Sequence, residues 1–297
     1  MQTYLIDASI YVFRAWFTIP DDMLDAEQQP VNAVYGFTRF LGDFLERVAP
    51  DHVAAAFDVS LTSSFRNDLY PAYKANREPA PPELKRQFEL CREITAALGV
   101  RSCADTGYEA DDLIGTLAGG SRRDGHRVTI ISRDKDMLQL LEDGDVMWDM
   151  TGGKRIRCDQ VSDALGVRAD QVTDYLGLAG DSVDNIPGVP GVGPKTASRL
   201  LEHFESMDHL YADLERVAEL PLRGAAKLGG KLAQHREQAE LSRELARIRC
   251  DVPMAADRAS VARTAPELDA LNALYDAAGF GESLRRQAQR IAERYRQ

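Results

Sequence analysis

Three short apolar segments, each carrying an aspartate at or near its end, constrain the fold of this chain more than any other feature. They are TYLIDA at 3–8, HVAAAFD at 52–58 and RVTIISRD at 127–134. Helical periodicity separates them, with apolar residues on one face over 31–48 and further helices expected at 84–98 and 109–120. Strands that alternate with helices indicate an α/β domain with a mainly parallel central sheet.

The strand-end aspartates predict a site at one edge of that sheet. The carboxyl ends of parallel strands lie at the same edge, where α/β proteins usually bind their ligands. Two further groups of acids occur at helix termini, and each contains a pair at i,i+3 spacing. The full candidate set is Asp7, Asp58, Glu109, Asp111, Asp112, Asp134, Asp136, Asp181 and Asp184.

So many carboxylates at one edge would repel each other unless cations balanced them. Ligands that are all oxygen suit a hard ion such as Mg²⁺ or Mn²⁺, and two such ions suit phosphodiester hydrolysis. The structural alternatives are that acids in a first helical turn complement the helix dipole and that a strand-end aspartate caps a helix. The convergence of five segments favours metal binding, whereas Asp145 and Asp149 are assigned structural roles.

The acidic net charge of −11 argues at first sight against a nucleic-acid partner. The nine candidate acids account for most of it, and metal ions would balance them. The distribution of the basic residues therefore matters more than their total.

Cysteines and histidines give no sign of a metal site or a disulfide framework. Cys91, Cys103, Cys158 and Cys250 lie far apart without a Cys-x-x-Cys pair, and the five histidines are scattered. No apolar run approaches the roughly 20 residues of a membrane span, and the N-terminus lacks the basic region of a signal peptide. We therefore expect a cytoplasmic protein that does not enter a membrane.

A basic and aromatic stretch, FRNDLYPAYKANR, follows Asp58 and precedes a proline-rich break at 78–83. Cations interleaved with aromatic rings suit phosphate contact and base stacking on a single strand. An amphipathic surface helix is the structural alternative for this stretch. Beside a carboxylate cluster, however, such residues would hold a phosphate against the metals. Arg14, seven residues after Asp7, is a further candidate for phosphate contact.

The pattern becomes helical from about residue 159, and GVPGVGPKT at 188–196 interrupts it. This stretch is not a phosphate-binding P-loop, because Pro194 separates Gly193 from Lys195. A helix-hairpin-helix type element, whose backbone N–H groups contact a DNA phosphate, is the better interpretation, with an ordinary interhelical turn as the alternative. The predicted DNA-binding residues are Arg66, Tyr73, Gly188, Gly191, Gly193, Lys195 and Thr196.

Six motifs in order resemble the 5′-nuclease (flap endonuclease) family, and most closely the 5′–3′ exonuclease domain of bacterial DNA polymerase I and its stand-alone relatives. They are LIDAS, AAFD, FRNDLYPAYKANR, GYEADDLIGTLA, SRDKDMLQL and GDSVDNIPGVPGVGPKTA. The resemblance implies a PIN-like α/β nuclease core over 1–158, with a helical arch at about 71–90. It also implies a helical subdomain over 159–297, with the DNA-binding hairpin at 186–196.

The resemblance also implies how the site residues share the work. One Mg²⁺, for which Mn²⁺ can substitute, would be held by Asp7, Asp58, Glu109, Asp111 and Asp112, and a second by Asp134, Asp136, Asp181 and Asp184. Lys74 and Arg77 would act at the base of the arch, with Tyr73 as a stacking aromatic and Arg14 on a phosphate. The hairpin would grip duplex DNA, with K⁺ held by its carbonyls.

The expected activity is 5′–3′ exonuclease and 5′-flap endonuclease cleavage of DNA by a monomer. Substrates would carry 5′ flaps, nicks or 5′ ends, and RNA primers in RNA–DNA hybrids are a further expectation. The sequence departs from the family pattern at Arg133, where glycine is usual before the Asp-Lys-Asp motif.

Two other functions compete with this interpretation. A phosphatase of the haloacid dehalogenase type needs a second aspartate two residues after the nucleophile, and Ser9 stands in that position. A non-catalytic scaffold that binds branched DNA through the hairpin is the other alternative.

Overall fold

A six-stranded sheet lies at the centre of the computed structural model, which describes residues 1–59, 63–222 and 224–295. Its strands are β1 (Gln2–Asp7), β2 (Val53–Asp58), β3 (Arg101–Asp105), β4 (Arg127–Ile131), β5 (Val146–Trp148) and β6 (Arg155–Arg157). Their order across the sheet is β3-β2-β1-β4-β5-β6. The neighbouring strands from β3 to β5 pair in parallel, and β6 is antiparallel to β5. The prediction of a mainly parallel sheet is confirmed.

The strand register brings the predicted acids to one edge. Asp7 pairs with Ala56 of β2, and Asp58 pairs with Asp105 of β3. Ile6 pairs with Ile131, the last residue of β4, so that Asp134 follows three residues beyond the same edge.

Helices cover both faces of the sheet because successive strand residues point to opposite sides. On β1, Ile6 packs into one apolar core and Leu5 into the other. The core around Ile6 is shared with α1 (Ala8–Thr18), α2 (Asn32–Val48) and α4 (Pro82–Ala97). The core around Leu5 is shared with α5 (Ala110–Arg123) and extends into the helical region.

The remaining elements are mostly short helices. The α-helices are α3 (Phe65–Leu69), α6 (Val161–Leu165), α7 (Val172–Ala179), α8 (Pro194–Phe204), α9 (Met207–Ala212), α10 (Ala225–Gln234), α11 (Arg236–Ala246), α12 (Leu268–Ala277) and α13 (Glu282–Tyr295). Single 3₁₀ turns or short 3₁₀ helices occupy Lys135–Leu140, Cys158–Gln160, Ala169–Gln171, Leu214–Glu219 and Ala259–Val261. The domain division at residue 158 stays a prediction, and α12 and α13 pack against the core helices α4 and α2.

The predicted hairpin lies between two helices that pack against each other. The chain leaves α7 at Gly180 and enters α8 at Pro194, and the glycine-rich stretch forms the connection. Gly188 and Gly191 adopt positive φ angles of 59° and 78°. This arrangement agrees with a helix-hairpin-helix type element.

The arch predicted at 71–90 stays a prediction, and in the structure this stretch contains turns and the start of α4. Residues 71–77 form consecutive turns, but α4 begins at Pro82. Leu84 is only 2 % exposed, and the ring of Phe88 lies 5.2 Å from that of Phe13. The apolar stripe of α4 is therefore buried against the core, because a helix with such a stripe is stable when the stripe is covered.

Among the described residues, no helix combines the length and the apolar character that crossing a membrane requires.

Candidate metal centre

Five segments deliver the predicted acids to the carboxyl edge of the sheet. Asp7 and Asp58 end β1 and β2, and Glu109 is the N-cap residue of α5. Asp134 caps the short helix Lys135–Leu140, where its side chain accepts a hydrogen bond from the N–H of Asp136 at 3.0 Å. The fifth segment is the loop 181–186 after α7, which we call the acidic loop.

The acidic loop places two of its carboxylates beside the carboxylate of Asp136. Two backbone hydrogen bonds between Asp181 and Ile186, of 2.9 and 2.7 Å, close the loop into a tight turn. Carboxylate oxygens of Asp136, Asp181 and Asp184 all lie within 4.8 Å of one another. This group is three of the four residues expected around the second metal.

The other acids form a second group beside the ends of β1 and β2. Asp7 accepts a hydrogen bond from the Ser132 hydroxyl at 2.8 Å, and Asp58 accepts one from the N–H of Ala110 at 2.9 Å. The second contact fixes the start of α5 against the end of β2. Asp111, in the first turn of α5, therefore lies near both strand ends.

The pKa values of this edge record crowded negative charge. Burial raises the pKa of Asp7 from 3.8 to about 7, and the charges of Asp58 and Asp134 add to the increase. Burial also raises the pKa of Asp111 well above its usual range, together with the charges of Asp134, Asp7 and Asp58. Asp136 has a raised pKa for the same kind of reason, with burial first and Asp134 next.

A divalent cation fits this donor set. The ligands are carboxylate oxygens only, which suit hard ions, and their mutual repulsion would be relieved by positive charge between them.

Asp112 and Arg66 do not have the roles predicted from the sequence, because they bind each other. Arg66 is 2 % exposed and donates two hydrogen bonds of 2.7 and 2.8 Å to the Asp112 carboxylate. Asp112 also accepts from the backbone N–H groups of Glu109 and Arg249. Its oxygens are thus occupied, and the Arg66 guanidinium is not accessible to DNA.

Lys74 and Arg77 lie at the acidic edge. The Nζ atom of Lys74 lies 2.9 Å from Glu109 and 3.6 Å from Asp184, and Arg77 pairs with Asp184. Burial alone would raise the pKa of Glu109, but the nearby charges of Lys74 and Arg66 outweigh it, so that the pKa is lowered. Glu109 and Asp184 are therefore compensated, as Asp112 is, unlike Asp7, Asp111 and Asp136.

Tyr73 is buried rather than available for stacking. It is 3 % exposed, and its hydroxyl lies 3.1 Å from Glu109 and 3.3 Å from Asp184. The prediction of a stacking aromatic is wrong for this conformation. Arg14, by contrast, is exposed on α1 and lines a groove of about 480 Å³ with Arg39 and Arg47.

The predicted hairpin residues separate into two groups. The N–H of Gly188 donates to Ser242 and its carbonyl accepts from Gln238, so Gly188 is a buried turn residue and its predicted DNA contact is wrong. Gly191 and Gly193 donate no backbone hydrogen bond to any described residue. Lys195 and Thr196, in the first turn of α8, line a groove of about 850 Å³ together with Arg168 and Arg199.

Two serines that support the site were missed from the sequence. The Ser9 hydroxyl accepts from the N–H of Asp58 at 2.8 Å, and the Ser132 hydroxyl accepts from the N–H of Asp134 while it donates to Asp7. Ser9 stands two residues after Asp7, and Ser132 stands two residues before Asp134. This spacing from an acid could have identified both serines. The contact of Ser9 also gives it a structural role at the position where the phosphatase pattern requires an acid.

Comparison with known proteins identifies the same sequence blocks. The family model of the 5′–3′ exonuclease N-terminal resolvase-like domain matches residues 2–166, and that of the 5′–3′ exonuclease C-terminal SAM fold matches residues 167–269. The chain is 40 % identical over 261 residues to DNA polymerase I of Rhizobium leguminosarum. The aligned region covers 86 % of this chain and 25 % of that protein. It thus spans about a quarter of that relative's length.

Solved structures share the fold along the whole chain. The T5 5′-exonuclease with bound zinc superposes with a TM-score of 0.67 at 20 % identity, and covers 99 % of both chains. The bacteriophage T5 D15 flap endonuclease, in a complex with DNA and metal ions, superposes with a TM-score of 0.65 at 20 % identity, and covers 100 % of both chains.

The raised pKa values predict that divalent ions stabilise the protein more at pH 8 than at pH 5. A carboxyl group with a raised folded-state pKa stabilises the fold at low pH, and for Asp7 this contribution is lost between about 3.8 and about 7. A cation that binds the ionised cluster restores stability where the loss is complete. Calorimetry with EDTA and with Mg²⁺ at both pH values measures the shift in Tm. An equal shift at both pH values would contradict metal binding by these acids.

Replacement of Arg66 by Met should destabilise the protein strongly. The change leaves the Asp112 carboxylate buried without its partner, which typically costs about 3–5 kcal/mol. Urea unfolding measures the free energy of unfolding. Arg157→Met is the matched control, because the Arg157–Asp159 pair is exposed and its loss should cost less than about 0.5 kcal/mol. A similar loss in the free energy of unfolding for both variants would show that the buried pair stabilises the protein no more than the exposed pair.

Proposed function

We propose that this chain, which belongs to the 5′–3′ exonuclease family of metal-dependent nucleases, hydrolyses phosphodiester bonds in DNA at 5′ ends, nicks and 5′ flaps. The observation that carries the proposal is the meeting of uncompensated acids, buried at Asp7 and half-buried at Asp136, with Lys74 and Arg77 at one sheet edge. Acids alone would serve many metal sites. Acids beside two fixed cations suit an anionic substrate that must approach bound metal.

We assign the metal-binding role to two groups of acids. Asp7, Asp58 and Asp111 would hold one ion, with Asp134 between the groups, and Asp136, Asp181 and Asp184 would hold the other. Mg²⁺ is the proposed ion, with Mn²⁺ as a substitute, because all the donors are carboxylate oxygens. Bound divalent ions supply Lewis-acid polarisation of the phosphate and a hydroxide nucleophile near neutral pH.

Lys74 and Arg77 are proposed to hold the scissile phosphate. Both already lie beside acids of the cluster, with Lys74 near Glu109 and Arg77 on Asp184. A phosphate at this edge would exchange their carboxylate contacts for contacts with its own oxygens, and the fixed cations would offset the charge that develops during cleavage. Arg14, exposed on α1, is proposed to contact a neighbouring phosphate.

The hairpin is proposed to bind the duplex arm of the substrate. Gly191 is exposed and Gly193 is half-buried, their N–H groups have no described acceptor, and Lys195 and Thr196 lie in the first turn of α8. Free N–H groups at a helix start attract phosphate without regard to base sequence. A K⁺ ion on the hairpin carbonyls belongs to the same proposal.

The wider biological role is also a proposal, because the chain spans about a quarter of its polymerase relative. Cleavage of RNA primers in RNA–DNA hybrids, a monomeric state and a cytoplasmic location are expected. The complex of the T5 D15 flap endonuclease with DNA and metal ions supports a DNA substrate at the same fold.

Asp136→Asn should abolish cleavage and leave DNA binding nearly intact. Asp136 makes no ion pair among the described residues, so its loss affects metal binding more than packing, and turnover should fall at least about 100-fold. The assay uses a labelled 5′-flap duplex with Mg²⁺, and binding is measured in EDTA. Asp163→Asn, on the exposed side of α6, is the control.

The same assay distinguishes the alternatives. Wild-type cleavage that EDTA stops supports the nuclease, and unchanged cleavage by Asp136→Asn would remove this residue from the metal site. Tight binding of the flap without cleavage in Mg²⁺ or Mn²⁺ would instead indicate the scaffold.

Lys195→Ala should weaken duplex binding and reduce its salt dependence. Loss of one phosphate contact lowers the slope of log K against log salt by about 1. Titration of a blunt duplex at several salt concentrations measures the slope, and Lys154→Ala, in the exposed turn between β5 and β6, is the control. An unchanged slope for Lys195→Ala would place the duplex elsewhere.

A further inference from the structure

Two segments that are distant in sequence interlock at the acidic edge. One is the acidic loop 181–186, and the other is the run of turns at 70–77, which we call the cation segment. The N–H of Lys74 donates to the carbonyl of Asp184 at 2.9 Å. The side-chain amide of Asn185 donates to the carbonyl of Ala72 at 2.6 Å, across 113 residues of sequence. The amide of Asn76 donates to the carbonyl of Ser182 at 2.9 Å.

These hydrogen bonds run in both directions, so neither segment can slide past the other while they persist. The acidic loop provides a donor through Asn185 and an acceptor through the carbonyl of Asp184. The cation segment provides donors through Lys74 and Asn76. The interlock therefore fixes the register between the two segments.

Both segments contain a residue in the left-handed region of backbone space. Lys74 has a φ angle of 53° and Asn185 one of 57°. Such a conformation is strained for lysine and tolerated best by glycine, asparagine and aspartate. A strained lysine persists only where its surroundings hold it, and here the hydrogen bonds of the interlock do so.

The register between the two segments determines the positions of the Lys74 and Arg77 side chains. Lys74 reaches Glu109 at 2.9 Å, and Arg77 reaches the carboxylate of Asp184, whose backbone also accepts from Lys74. Asp184 in turn lies within the group formed with Asp136 and Asp181. A shift of the cation segment would thus separate the cations from both acid groups.

We propose that Asn185 is a positioning residue, which fixes Lys74 and Arg77 against the acid cluster through its hydrogen bond to Ala72. The proposal deepens the proposed function and rests on it for its catalytic part. Asparagine meets both requirements of this position, because it tolerates a positive φ angle and carries an amide donor. Aspartate lacks the donor and glycine lacks the side chain.

Asn185→Gly tests the hydrogen bond without adding backbone strain. We expect the kcat for a 5′-flap duplex to fall at least about fivefold, the change that one hydrogen bond of ordinary strength supports. Binding of the flap in EDTA should stay within about twofold, since the duplex surface is untouched. Gln28→Gly is the matched control, because Gln28 has a φ of 59° and is exposed in a loop that contains none of the nine candidate acids. A kcat within twofold of wild type would overturn the proposal.

A double-mutant cycle asks whether Asn185 acts through Lys74. If it does, Lys74→Ala should reduce kcat by a smaller factor in the Asn185→Gly background than in the wild type, because the lysine is already misplaced there. Two independent residues would instead give factors that multiply, and that result would exclude action through Lys74.

Limited trypsin digestion provides a readout that needs no nuclease activity. Cleavage after Lys74 requires the cation segment to open, so Asn185→Gly should accelerate it about fivefold relative to cleavage after the exposed Lys154. An unchanged relative rate would overturn the interlock even if the protein cleaves DNA. Absence of cleavage by the wild type would overturn the proposed function and leave this measurement valid.

Asn76→Ala guards against a folding defect at Asn185. Asn76 is exposed, and its loss removes only the hydrogen bonds to the acidic loop. With a Tm equal to that of wild type, this variant should show the same faster cleavage after Lys74 and a reduced kcat. Wild-type behaviour in both assays would contradict the interlock.

Discussion

The buried ion pair between Arg66 and Asp112 is the contact on which the candidate metal centre depends. Arg66 binds Asp112 through two hydrogen bonds and also donates to the carbonyls of Leu245 and Arg247. One guanidinium thus joins the segment after β2, the start of α5 and the C-terminal end of α11. Burial of two charges is unfavourable unless every polar atom has a partner, and this pair meets that condition. Glu109 and Asp111, which precede Asp112 in the same segment, are held at the sheet edge as a consequence.

The acids at this edge differ in whether a basic side chain compensates their charge. Charge is compensated at Asp112, Glu109 and Asp184, whereas burial and like charges leave the pKa values of Asp7, Asp111 and Asp136 raised. Asp112 holds the framework, the uncompensated acids have unused affinity for cations, and Asp184 belongs to both sets, because it contacts Arg77 and also lies in the group with Asp136 and Asp181. The same residue type therefore serves more than one purpose within one cluster.

The sequence predicted β1, β2 and β4 because each is an apolar run that ends at an aspartate or is followed by one within three residues. It did not predict β3 and β6, which are short or mostly half-exposed and lack that pattern. Arg66 and Asp112 were both recognised as important, but their pairing across 46 residues arises from the tertiary fold. The predicted stacking role of Tyr73 and the predicted DNA contact of Gly188 were wrong for the same reason, because a motif gives residue types and not the partners that bury them. The acid cluster was predictable because strand ends in a parallel sheet share one edge.

The reversed sixth strand has a consequence for how the protein behaves while it folds. A sheet margin with unpaired N–H and C=O groups can recruit strands from other chains and start aggregation. β6 is only three residues long, and both Arg155 and Arg157 are exposed on it. Short, charged margins are a common protection against such recruitment. The short antiparallel strand β6 thus protects this edge of the sheet, whose other strands are apolar enough to aggregate when they are exposed.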